Sequence, residues 1–140
     1  MDKSQTIIIN NELDIIEARM RVRTLARETG LDLFDQARIS LATSTLAIIL
    51  GLEKGSQGSV GMMQLHANDR DGVQVVCTRH DTSPHDLTAG VLDDARRMVD
   101  EMQVSEPSGG GVAVTVVKWA GRARGRISID PPLAGTGAGN

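Results

Sequence analysis

Apolar and polar positions alternate along this chain with two different periods, and each change of period marks an element. Ile7-Ile8-Ile9 is a β-branched run closed by Asn10-Asn11 and predicts a short strand. From there to Thr29 apolar residues return every three to four positions, at Ile15, Ala18, Val22, Leu25 and Ala26, while Arg19, Arg21, Arg23 and Arg27 fall mostly on the other side. That pattern predicts an amphipathic helix. Asp14 is its expected N-cap, and Gly30 stands where a left-handed residue ends a helix. A second helix is expected over about Gln36–Leu50, capped by Asp35. Its Ala37, Ile39, Leu41, Ala42, Leu46, Ala47, Ile48 and Ile49 run nearly all the way round, which predicts a central helix with Ile48 and Ile49 in the core.

After Gly51 and the polar stretch Glu53–Gly58 the period shortens to two. Strands are expected near Ser59–Ala67 and Val73–Thr78, joined through Asn68–Gly72, with Asp71-Gly72 as the hairpin signal. A third helix is expected over about Leu87–Gln103, where Val91, Ala95, Met98 and Met102 form a stripe beside Leu92 and Val99. Pro107–Gly111 reads as a loop and Val112–Lys118 as a closing strand. Residues 1–119 then form one domain, and the Gly-, Pro- and Ala-rich 120–140 a flexible tail or linker. The order β-α-α-β-β-α-β predicts a two-layer α/β (α+β) sandwich on a mixed or antiparallel sheet.

Composition narrows the function classes. The 140 residues are 40% hydrophobic and 24% charged, with a net charge of −3, ordinary values for a globular domain. A mildly acidic chain with one Trp, one Phe and no Tyr offers neither the basic excess nor the stacking platform of a nucleic-acid binder. The short Gly121–Arg126 (GRARGR) reads as part of a solvated tail. No run approaches the ~20 apolar residues that span a bilayer, and the polar Met1–Thr6 carries no signal-peptide pattern. A single Cys77 excludes an intrachain disulfide and fits a cytoplasmic location.

Candidate chemistry is sparse. Cys77, His80 and His85, with Asp81 between them, are borderline-to-soft ligands close in sequence, but their spacing matches no standard zinc motif, and Cys77 in a strand reads as a buried thiol. Gly109-Gly110-Gly111 lacks the Lys-Ser/Thr ending of a phosphate loop and precedes a strand. Ser44 sits on a helix with no His and acid tied to it, so no catalytic residue is assigned. His66 reads as a strand surface residue, and Met62, Met63, Met98 and Met102 as core filler.

Three stretches carry a family resemblance. Glu12–Ala26 (ELDIIEARMRVRTLA), Asp35–Leu50 (DQARISLATSTLAIIL) and Met98–Trp119, ending in Val-Lys-Trp, resemble in order the opening helix, the N-box helix and the closing strand of anti-sigma and switch serine/threonine kinases. These belong to the histidine-kinase-like (GHKL) ATPase superfamily, so the resemblance implies a Bergerat-type fold over most of Ile7–Trp119. The family's N-box, Ser-Glu-Leu-Ala-Arg-Asn, supplies a Glu for the attacking group and an Asn for Mg²⁺. Here the frame reads Ser44-Thr45-Leu46-Ala47-Ile48-Ile49, with Thr45 for the Glu and Ile49 for the Asn. Isoleucine offers no oxygen to a hard cation, and phosphoryl transfer depends on that metal. The family's Asp-x-Gly-x-Gly falls on Arg79, Asp81 and Ser83; a two-residue slip places Asp81 at the Asp but restores no glycine. Val112 replaces the Thr after the last turn, and no Gly-rich lid is visible, so the ATP lid is expected to be shortened or absent.

The resemblance therefore implies a degenerate member: a non-catalytic regulatory module of a partner-switching pathway, a pseudokinase without ATP or Mg²⁺. Its implied partners are a STAS-domain antagonist, a sigma factor or a phosphatase of the same system. Arg19, Arg23 and Arg27 are the candidate contacts for an acidic partner, set against the plain alternative of a solvated face. Self-association through Ile7–Ile9 as a sheet edge is a further expectation. The alternatives are a divergent ATP-binding serine/threonine kinase acting on a STAS-domain antagonist, with Asp81 as an adenine or metal contact, and a zinc-binding or ligand-sensing domain built on Cys77, His80 and His85.

Overall fold

The computed structural model describes residues 4–55 and 58–121. The expected tail, apart from Ala120 and Gly121, lies outside the described residues, and so does most of Gly121–Arg126. Strands β1 (Ser4–Ile9), β2 (Gly58–Ala67), β3 (Arg70–Arg79), β4 (Glu101–Ser105) and β5 (Val112–Trp119) form one sheet in the order β1-β2-β3-β5-β4. Every neighbouring pair is antiparallel. Helices α1 (Glu12–Thr29) and α2 (Leu33–Ile49) cover one face, and α3 is a single turn, Asp93–Arg96. The two-layer α+β sandwich expected from the sequence is thus observed, with the antiparallel alternative for its sheet.

Alternation decides which side chains meet the helices. Ile7 and Ile9, Val60 and Met62, Val73, Val75 and Cys77, and Val112, Val114 and Val116 point inward and are buried. They pack against Ile15, Ala18, Val22, Leu25 and Ala26 of α1 and Ile39, Leu46 and Ala47 of α2. An aliphatic core without rings suffices because two helices and a sheet bring their apolar faces together over their full lengths.

Both helices begin one turn earlier than expected. Asn11 caps α1 by accepting from the Asp14 backbone N–H at 3.1 Å, and Asp32 caps α2 by accepting from Asp35 at 2.8 Å. Asp14 and Asp35 are third-position residues that receive the cap, where a carboxylate also suits the positive helix end. Gly30 takes the left-handed conformation expected of it, with φ +103°.

Three further expectations are corrected. The β2–β3 turn is Asn68-Asp69, both at positive φ (53° and 63°), which makes a two-residue primed turn; Asp71-Gly72 lies inside β3. Gly72 is needed there because a Cβ would stand 2.6 Å from the Trp119 ring on the neighbouring strand. Second, α2 is not apolar-buried all round: Leu41 and Ile48 are exposed, and only Ile49 of the Ile48-Ile49 pair packs on the core.

The third correction is the largest. Leu87–Gln103 is not a helix: it holds turns, α3, and strand β4. Gly90 turns the chain at φ +82°. Met102 and Val104 then face inward while Glu101, Gln103 and Ser105 are exposed, a period of two that pairs with Val116 and Val114 of β5. A hairpin ladder on β5 replaces the helix that the stripe suggested.

Candidate functional site

The positions singled out by the family frame gather at one end of the molecule, where α2 stops, β3 leaves the sheet and β5 enters it. Thr45 and Ile49 lie on the last turns of α2, both half-buried. Arg79 ends β3 and pairs with Gly58 on one side and Val112 on the other. Val112 is fully buried. Asp81 and Ser83 follow in the segment that leads away from β3.

Arg79 organises this corner. Its Nη1 donates to the Leu50 carbonyl at 2.8 Å, and its Nε donates to Asp81 Oδ1 at 2.6 Å. The last turn of α2 contains no basic residue of its own. A guanidinium brought from β3 therefore meets the partial negative charge at that helix end. Gly51 leaves room for it, since a Cβ there would stand 3.1 Å from Arg79 Nη1. The hydrogen bond from Arg79, more than any other cause, holds the Asp81 carboxyl below its usual range.

The next residues form a compact, self-capped turn. Ser83 caps the 3-10 turn Pro84–Asp86 by accepting from the His85 N–H, and Asp86 Oδ2 accepts from Thr82 Oγ1 at 2.7 Å and the Ser83 N–H at 3.0 Å. These bonds, with Thr82 first, lower the Asp86 carboxyl. Gly111 closes the corner from the β5 side: at φ +103° its missing Cβ would lie 2.5 Å from the Arg79 carbonyl oxygen.

Cys77, His80 and His85 do not converge. Cys77 is fully buried beneath α2 with Sγ 4.0 Å from the Thr43 carbonyl, whereas both histidines are exposed. Burial pushes the thiol up to about 12. Among the described residues no group of three His, Cys, Asp or Glu is arranged to hold a metal. Ser44 bonds to the Leu41 carbonyl of its own helix.

The most specific stretch of the resemblance has a structural task. Asp35 Oδ1 lies 2.9 Å from Arg38 Nη1 and 3.4 Å from Lys118 Nζ, and Lys118 also reaches Asp100 Oδ1 at 3.0 Å. Asp100 in turn accepts from the Trp119 N–H at 2.7 Å. DQARI and the closing Val-Lys-Trp are thus tied to one another, fixing the start of α2 over the end of β5.

Arg19, Arg23 and Arg27 are exposed on α1, and none of their guanidinium groups has a hydrogen-bond or ion-pair partner among the described residues. Sequence reasoning missed the apolar residues beside them. Leu13, Ile16 and Met20 of α1 and Leu41 and Ile48 of α2 are large apolar side chains left in solvent. The signal was present, because Leu13, Ile16 and Met20 repeat at helical spacing on the side opposite Ile15, Ala18 and Val22.

A two-layer α+β domain whose N-box-like helix crosses an antiparallel sheet is the class of protein that this geometry and the quoted stretches define together. The chain is similar to serine/threonine-protein kinase RsbT of Bacillus subtilis (strain 168), with 28% identity over 132 aligned residues, covering 85% of this chain and 98% of that kinase. The resemblance to serine/threonine kinases drawn from Glu12–Ala26, Asp35–Leu50 and Met98–Trp119 is borne out by this relative. No family model matches the chain. No helix among the described residues is long and apolar enough to cross a membrane.

Proposed function

We propose that this chain is a regulatory protein-binding module of a bacterial partner-switching pathway, built on a degenerate histidine-kinase-like ATPase fold and without Mg-ATP chemistry. The observation that carries this reading is the Arg79 bridge. Where the family frame asks for an acidic adenine contact, a guanidinium ties the end of α2 to β3 and to Asp81. Asp81, the residue that a slipped frame would offer to adenine or metal, is already engaged as its counter-ion. Ile49 packs on the core in the frame position of the Mg²⁺ ligand, and a hydrocarbon cannot replace that oxygen. The short self-capped turn after Asp81 stands in the place of a lid. A protein of this type, working in the cytoplasm, acts by holding one partner in preference to another; a STAS-domain antagonist, a sigma factor and a phosphatase are the partners in keeping with the family.

The second reading, a divergent serine/threonine kinase, is favoured by the similarity to RsbT, a serine/threonine-protein kinase. Thermal unfolding with and without millimolar Mg-ATP separates the two. A ligand at a hundred times its dissociation constant stabilises the native state by about 2.7 kcal/mol, a rise of several degrees in a domain of this size. An unchanged midpoint, with and without chelator, is the expected result. A rise of that size, abolished by chelator, overturns the module reading in favour of the kinase.

A further inference from the structure

We infer that the outer face of the α1–α2 pair is a docking groove for an acidic amphipathic helix of a partner protein. The inference rests on the protein-binding reading and adds the place and the chemistry. A soluble domain ordinarily scatters its exposed apolar side chains. Here Leu13 (74% exposed), Ile16, Met20 (63%), Leu41 and Ile48 fall in two rows on two adjacent helices. On α1 the row follows the spacing i, i+3, i+7; on α2 Leu41 and Ile48 are two turns apart, with half-buried Thr45 between them.

The rows adjoin. One depression of about 370 Å³ is lined by Arg19, Met20 and Arg23 of α1 and by Ala37, Ser40 and Leu41 of α2. A second of about 370 Å³ continues along α1 past Leu13, Ile16 and Met20. Met20 is the shared wall. The helices run antiparallel from the tight turn at Leu31, so Leu13 and Ile48 are equally far from it and extend the face beyond Met20 and Leu41. From Leu13 to Arg23 the groove measures on the order of 15 Å at 1.5 Å per residue, about three turns of a docked helix.

Charge selects the occupant. Arg19 and Arg23 flank the Met20 wall and have no partner among the described residues, in a chain whose net charge is −3. Arg21, on the other margin, is held by Glu17 and Gln5. An apolar floor edged by uncompensated guanidiniums fits a helix that presents leucine-like residues at i, i+3 or i+4 and i+7, bordered by carboxylates. A second copy of this chain fits less well, because a two-fold contact centred on Met20 would set the same arginines against one another.

Two synthetic helical peptides with the same leucine stripe, one flanked by Glu and the other by Lys, test this by fluorescence anisotropy on the full chain. The Glu peptide is expected to bind at least tenfold more tightly than the Lys peptide. Met20→Asp is expected to weaken it at least tenfold, and the double variant Arg19→Glu, Arg23→Glu to reverse the preference. All of these residues are exposed, so the variants should keep the parent far-UV spectrum and melting midpoint, which are measured alongside. Equal binding of both peptides, or no binding of either, overturns the inference while leaving the Mg-ATP result, and so the module reading, untouched. Concentration-dependent dimerisation in sedimentation that Met20→Asp abolishes overturns it in favour of a second copy as the occupant.

Discussion

Removing the Arg79 guanidinium should loosen the corner where α2 ends, by an amount the structure allows one to work out. The bond to the Leu50 carbonyl is charge-assisted, a class that contributes about 1.5–3 kcal/mol when enclosed. The Arg79 side chain is 32% exposed, which cuts that to about 1 kcal/mol. Its position at the negative end of α2 adds roughly 0.5 kcal/mol. The Asp81 carboxylate lies in solvent and adds little, because water screens such a pair. Arg79→Ala should therefore cost about 1.5 kcal/mol, and Asp81→Ala clearly less. Arg79→Met keeps the aliphatic stem and isolates the charge. Urea unfolding followed by far-UV circular dichroism and by the single tryptophan, Trp119, gives both midpoints, and agreement of the two probes validates two-state treatment. If Arg79→Ala lies within about 0.3 kcal/mol of the parent, or Asp81→Ala costs as much as Arg79→Ala, the bridge does not hold this corner and its weight in the functional reading is lost.

Other perturbations probe the rest of the architecture. Lys118→Met, which removes a side chain only 14% exposed from between Asp35 and Asp100, should cost about 2 kcal/mol and barely respond to 1 M salt. The solvent-exposed Arg97–Asp94 pair should cost less than about 0.5 kcal/mol when broken by Arg97→Ala, both read from urea midpoints. Gly111→Ala should cost at least about 2 kcal/mol through its approach to Arg79, whereas Gly110→Ala, at φ +96° with nothing within 4 Å, should cost only the ~1 kcal/mol of a left-handed alanine. Cys77, with its thiol raised to about 12, should react with a thiol reagent at pH 8 only as fast as the protein opens. Because the folded pKa lies above the unfolded one, stability is unaffected below about pH 8.5 and falls between there and about pH 12; a Cys77→Ser chain should lack that slope, and labelling within seconds under native conditions would refute the burial argument.

The sequence made the helices and central strands legible wherever a period ran unbroken beside a turn residue. Ile15–Ala26 marked α1 and Gly30 ended it, because both signals are local. The caps were misplaced by one turn because aspartate suits the cap and the third position alike, and only the hydrogen bonds of Asn11 and Asp32 distinguish them. Leu87–Gln103 was misjudged for a different reason. Val91, Ala95, Met98 and Met102 are spaced for a helix, yet Met102 belongs to a strand whose partner, Val116, lies beyond the Pro107–Gly111 loop. At the candidate site the departures from the family frame at Thr45, Ile49 and Arg79 are legible in the sequence. The Arg79 bridge is not, since Arg79 meets Leu50 across 29 positions of chain. Nor does a sequence show that Leu41 and Ile48 stay in solvent while Ile39 and Leu46 go under.

The strand order has a consequence for how the molecule comes together and comes apart. α1 with α2, β2 with β3, and β4 with β5 are each neighbours in sequence and in space. Each pair can close on itself through a short loop, at small entropic cost. Among the described residues only two ladders join distant chain, β1 to β2 and β3 to β5. Those two seams, rather than the individual hairpins, are the lines along which the sheet separates when it opens below the global unfolding limit. Arg79, Gly111 and Val112 sit astride the second seam, so this corner serves as a clasp between two independently closing halves of the sheet.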